Sequence, residues 1–95
     1  MKTNIEKIKQ KILPILIQYG VTKAGLFGSS IRDDITPKSD IDILVELKKD
    51  ISLLGFIKIK LELEQTLGKK VDLIEYSAIK PQLRNYILSE QVIIL

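Results

Sequence analysis

Residues 27–47 read FGSSIRDDITPKSDIDILVEL, and this stretch decides the fold. Its second half alternates: Ile41, Ile43, Val45 and Leu47 share one parity, and Asp40 and Asp42 share the other. Period-two alternation after a loop marked by Pro37 and Ser39 predicts a strand over 41–47, with its Ile/Val/Leu face in the core. Side chains two apart in a strand point to one face, with Cα atoms about 6.5–7 Å apart, so Asp40 and Asp42 converge. Two carboxylates in a small volume raise each other's pKa unless positive charge sits between them. A hard divalent cation with oxygen ligands resolves that repulsion, Mg²⁺ above all. Upstream, VTKAGLF (21–27) reads as a strand, and Gly28-Ser29-Ser30 opens a turn or short helix that continues into IRDD. Glycine lets the backbone approach a ligand closely. Exposed N–H groups at a helix start bind phosphate; the hydroxyls of Ser29 and Ser30 and the charge of Arg32 add to that cradle. Half phosphate cradle and half metal site, the stretch has the spacing G-S-x10-D-x-D.

On the N-terminal side, residues 3–18 predict a helix whose inner face carries Ile5, Ile8, Ile12, Ile15 and Leu16, with Lys7 and Lys11 opposite. Pro14 inside it should kink the helix or split off its last turn, because the bond to the Gln10 carbonyl is lost. Tyr19-Gly20 ends it. On the C-terminal side, Ser52, Glu62 and a dense Leu/Ile pattern predict a helix over 52–67, closed by Gly68. Its apolar positions cover an arc of roughly 220°, more than one sheet needs. Leu53, Ile57 and Leu61 lie on one flank and Phe56, Ile59, Leu63 and Leu67 on the other, with Lys60 and Glu64 between them at pairing distance. Either the helix is deeply packed or one flank is a partner or dimer surface. KVDLIE (70–75) is a third strand, with Val71 and Leu73 facing one way and Asp72 the other. If it lies beside 41–47, Asp72 joins the acid pair. Three carboxylates about 4 Å apart repel by several kcal/mol at an effective dielectric near 20, so they make sense only around bound metal. Two-metal nucleotidyl transfer uses such a triad. Pro81 starts a last helix running to about Ser89, and Val92–Leu95 can form a short final strand. The order α-β-(α)-β-α-β-α-(β) is an α/β (α+β) arrangement of helices on a small sheet, in a single domain over 1–95.

Composition removes other chemistries. The chain has 95 residues, 45% apolar and 28% charged, enough for one core. It has no cysteine, hence no disulfide, thiolate metal site or thiol nucleophile. It has no histidine, hence no Ser-His-Asp arrangement and no imidazole acid–base work. The net charge is +3, and the acidic stretch lies next to the glycine turn in an otherwise basic chain. With two Phe and three Tyr, aromatic platforms for single-stranded RNA are lacking, so a nucleic-acid partner is not expected. No apolar run reaches the roughly 18 residues that span a bilayer, and the N-terminus does not read as a signal peptide. A cytoplasmic protein without a membrane role is the expectation.

The stretch FGSSIRDDITPKSDIDILVEL resembles the GSxxRG…SDIDLLV signature of minimal nucleotidyltransferases in the DNA polymerase β-like superfamily. KKVDLIEYSAIKPQLRNYILSE is similar to their third-carboxylate strand and the helix after it, so the likeness covers about residues 3–95. It implies a nucleotidyltransferase-like small mixed sheet with helices packed against it. It implies Asp40 and Asp42 as metal ligands, Asp72 as third ligand and base, and Gly28, Ser29, Ser30 and Arg32 around the triphosphate. It further implies two Mg²⁺ ions, ATP as substrate, and an antitoxin paired with a HEPN-domain ribonuclease toxin. The reaction implied is transfer of AMP to a toxin tyrosine with release of pyrophosphate. The chain departs from the signature at Ser30, where Arg is usual, and at Asp33-Asp34, where Gly follows the arginine. These changes remove one positive and add two negative charges beside the phosphate site. Two alternatives stand beside this reading: a non-catalytic binding module that covers the toxin, and nucleotidyl transfer to a small molecule or an RNA end. Homodimer and hetero-oligomer are both open.

Overall fold

The computed structural model describes residues 4–28, 40–48 and 51–95. The elements run α1 (Asn4–Gln18), β1 (Val21–Phe27), β2 (Ile41–Leu47), α2 (Leu53–Leu67), β3 (Val71–Glu75), a 3₁₀ turn (Tyr76–Ala78), α3 (Pro81–Glu90) and β4 (Val92–Ile93). The strands form one mixed sheet in the order β3-β2-β1-β4. β1 is antiparallel to β2 and β4, whereas β2 and β3 are parallel and joined by α2. A parallel neighbour needs a crossover, and α2 supplies it.

The alternation of 41–47 works as the sequence dictates. Ile41, Ile43 and Val45 are buried against α1 and α2, with Leu47 packed at the margin. From α1, Ile8, Ile12, Ile15 and Leu16 enter the same core; from α2, Ile59 and Leu63 do. Pro14 does not split α1, which continues unbroken to Gln18. Pro14 is exposed, and its missing donor costs least on the solvent side. The caps of α2 are those expected. Ser52 accepts from the Gly55 N–H at 3.1 Å, and Gly68, at φ +68°, donates its N–H to the Glu64 carbonyl. The Glu64 carboxylate accepts the Val71 N–H at 2.9 Å and so fixes where β3 begins.

One flank of α2 finds no cover among the described residues. Leu53 and Leu54 are 74% and 79% exposed, and Ile57 and Leu61 are exposed as well. Of the two readings of the wide apolar arc, deep packing does not hold for this flank among the described residues. No helix among the described residues is long and apolar enough to cross a membrane.

Candidate active site

The sheet carries a second face, and that face holds the acids. β2 and β3 pair in parallel so that Asp42 stands beside Asp72. Adjacent strands lie about 4.8 Å apart, so the two carboxylates leave the same face as neighbours. Asp40 immediately precedes β2 and is exposed; Asp72 is exposed and Asp42 is half-buried. The Asp42 carboxyl is pushed up to about 6 by its partial burial, then by the charges of Asp72 and Asp40. Asp40 and Asp72 therefore both act on Asp42, at the N-terminal ends of β2 and β3. As they stand, no three acids among the described residues close into a metal-holding cage.

Phe27 pairs with Asp42 across the β1–β2 ladder, and Gly28 is the residue after it. Gly28 has φ +68°, and a Cβ there would strike the Asp42 carboxylate. Both facts demand glycine: the dihedral is left-handed, and the backbone passes directly against the acid. Of the predicted cradle, Gly28 is thus brought against the Asp42 carboxylate. Ser29, Ser30 and Arg32, like Asp33, Asp34, Pro37 and Ser39, lie outside the described residues.

The donor set fits a hard cation. Asp40, Asp42 and Asp72 offer only carboxylate oxygen, the chain has no cysteine sulfur and no imidazole to compete, and Asp42 feels the charges of both other acids in addition to its partial burial.

Around the acids lies packing that the alternation argument did not foresee. Leu44, on the same parity as Asp42, is fully buried in a small cluster with Tyr76 and Ile79, bordered by Phe27, Ile74, Ile87 and Leu88. The sheet is therefore covered on both faces. The signal was present in IDILVEL, where an apolar residue occupies the acid parity two places after Asp42. Tyr76 donates to the Gln91 Oε1 at 2.6 Å, directly over Gly25, where any Cβ would collide with both groups. Lys23 Nζ sits 4.9 Å from the centre of the Tyr76 ring. This cluster braces Phe27, and through it the turn at Gly28. A separate polar hollow lined by Glu46, Glu75, Tyr76, Ser77 and Arg84 lies at the opposite, C-terminal ends of β2 and β3. It contains none of the three acids.

The family model for polymerase β nucleotidyltransferases matches residues 10–95. The chain belongs to this nucleotidyltransferase family. It is 49% identical over 92 residues to the Methanocaldococcus jannaschii protein MJ0435, provisionally named a protein adenylyltransferase. That match covers 97% of this chain and 99% of the relative. The protein adenylyltransferase MntA of Thermococcus cleftensis is 40% identical over 75 residues, covering 79% of this chain and 76% of the relative. The fold is shared with the structure of a tri-AMPylated Shewanella oneidensis HEPN toxin in complex with MNT antitoxin, at a TM-score of 0.75 and 20% identity. There, 96% of this chain and 71% of that chain are covered.

Proposed function

We propose that this nucleotidyltransferase is a Mg²⁺-dependent protein adenylyltransferase. It moves AMP from ATP to a tyrosine of a HEPN-domain ribonuclease toxin and acts as that toxin's antitoxin in the cytoplasm. The observation that carries the reading is the placement of Asp42 beside Asp72, with the Gly28 backbone pressed against Asp42. The names of the two relatives and the AMP-bearing toxin partner of the structural neighbour support the choice of donor and acceptor.

Gly28, Ser29, Ser30 and Arg32 cradle the triphosphate, and Asp40, Asp42 and Asp72 hold the metal. Bound Mg²⁺ neutralises phosphate charge and lowers the pKa of the attacking hydroxyl. The tyrosine oxygen bonds to the α-phosphorus, the bond from that phosphorus to the bridging oxygen breaks, and pyrophosphate leaves. A free phenol titrates near 10, so its proton needs an acceptor, and Asp72, the more exposed of the strand pair, takes it. Gly28 excludes a side chain from the space between cradle and acid, so the triphosphate approaches backbone N–H groups directly.

The test is an intact-mass spectrum of a candidate HEPN-domain partner after incubation with this chain, ATP and Mg²⁺. AMP-sized increments are expected with the native chain and none with Asp40→Ala/Asp42→Ala. Increments that survive the double substitution rule out the assigned acids. A stable complex without any increment supports the non-catalytic module instead, for which the exposed flank of α2 is the favouring observation.

A further inference from the structure

The three tyrosines of the chain are treated unequally by the fold. The Tyr19 hydroxyl donates to the Glu62 carboxylate. Tyr76 is buried and donates to Gln91. Both phenols are pushed above their ordinary pKa, Tyr19 first by its bond to Glu62 and Tyr76 first by burial, so neither gives up its proton readily. Tyr86, by contrast, is 63% exposed on the outer side of α3. Leu83, one turn earlier, is exposed beside it, so α3 displays an apolar residue and a phenol at i, i+3.

The helix that carries Tyr86 is weakly held. None of its ten residues is buried. Ile87 and Leu88 border the Leu44–Tyr76–Ile79 cluster, and Gln91 anchors the segment just after it. The Arg84 guanidinium also donates to the Tyr76 carbonyl at 3.0 Å, so a few contacts along one side hold an element that otherwise lies open to solvent. Its inner side, Ile87 and Leu88, packs against the Leu44 cluster on the sheet face that carries the acids, while Tyr86 is open to solvent.

We propose that Tyr86 is itself an AMP acceptor, modified by a second copy of this chain. The inference rests on the adenylyl-transfer reading above and extends it to a second class of acceptor. The Tyr86 phenolic oxygen forms the new bond to the α-phosphorus of ATP held by the other copy. The bond to the bridging oxygen breaks, pyrophosphate leaves with the electron pair, and the phenolic proton passes to Asp72 of that copy. Exposure selects the acceptor: Tyr19 and Tyr76 each hold their hydroxyl in a side-chain hydrogen bond, whereas Tyr86 is the most open of the three phenols to a second protein.

The experiment incubates the purified chain with ATP and Mg²⁺, reads its intact mass and maps the modified peptide. A single AMP-sized increment on residues 81–90 is expected, lost completely in Tyr86→Phe. An Asp42→Ala chain alone should gain nothing, yet should be modified when mixed with Tyr86→Phe, which supplies active acids but no acceptor. The candidate HEPN-domain partner is run as a separate acceptor with Tyr86→Phe. If that protein is modified while the chain never modifies itself, the inference fails and the proposed function stands. If the increment persists in Tyr86→Phe, the acceptor is wrong. If neither protein is modified, both readings fall.

Discussion

The two faces of the sheet are built to opposite ends. Among the described residues, the face under α1 and α2 buries fifteen core residues in one cluster, whereas the face under α3 buries three. The sparse face is the one that carries Asp42 and Asp72 and a carboxyl held near pH 6. Like charges packed side by side on a half-buried surface destabilise a fold. The dense face offsets that cost, which leaves the other free to concentrate charge where the proposed nucleotide chemistry would need it.

The largest effect expected from this contrast is on the dense face. Leu63 is fully buried. Leu63→Ala should cost about 3 kcal/mol, and roughly 15 °C in Tm by thermal melting. A loss no larger than that of a surface substitution would break the comparison.

Next come two glycines with the same backbone. Gly28 and Gly68 both have φ +68°, but a Cβ at Gly28 meets the Asp42 carboxylate, while one at Gly68 meets nothing within 4 Å. Each change to alanine should cost about 1–2 kcal/mol for the left-handed dihedral. Only Gly28→Ala should also abolish AMP transfer, because it displaces the acid. Equal transfer rates for the two variants would show that contact with Asp42 is irrelevant to the site.

A smaller effect comes from Asp42 alone. Its folded pKa of about 6 lies above the ordinary value of 3.8, so between those pH values the folded chain binds more protons than the unfolded one. Stability from this group is therefore present below about pH 4 and lost as pH rises through 6. Asp42 is partly exposed, and solvent screening holds the effect to about 1 kcal/mol. Asp42→Asn should raise the Tm of the chelator-treated chain by roughly 5 °C at pH 8 and leave it unchanged below pH 4. A variant less stable than native at pH 8 would reverse the sign of the argument.

The smallest expected effect is on the outer flank of α2. Leu53→Gln/Leu54→Gln should shift stability by no more than about 0.5 kcal/mol per site in denaturant unfolding. A larger loss would mean that this flank is covered in the free chain.

Much of this organisation was legible in the residues. The alternation of 41–47 gave the strand and its core face, Ser52 and Gly68 bounded α2, and G-S-x10-D-x-D led to the turn and the acid pair. These are short-range signals: a period-two pattern, a cap and a left-handed glycine each act within a few residues. Pro14 looked like a break because the local argument counts only the lost bond; packing of Ile12, Ile15 and Leu16 on either side carries the helix through it. Lys60 and Glu64 looked like a surface pair by spacing, but Glu64 reaches the first N–H of β3, a partner seven residues away.

What the amino-acid sequence determined by itself was the inventory and its local geometry: oxygen ligands only, two acids on one strand face, and a glycine at the turn. What only the tertiary structure decided was adjacency. That β3 runs parallel beside β2 in the register setting Asp72 against Asp42, that Gly28 lies against the same carboxylate, and that Leu44 and Tyr76 cover the acid face all depend on long-range strand pairing. The physical reason is that register is set by the fit of two buried faces, α1 and α2 on one side and the Leu44 cluster on the other. No window of a few residues contains both partners of that fit.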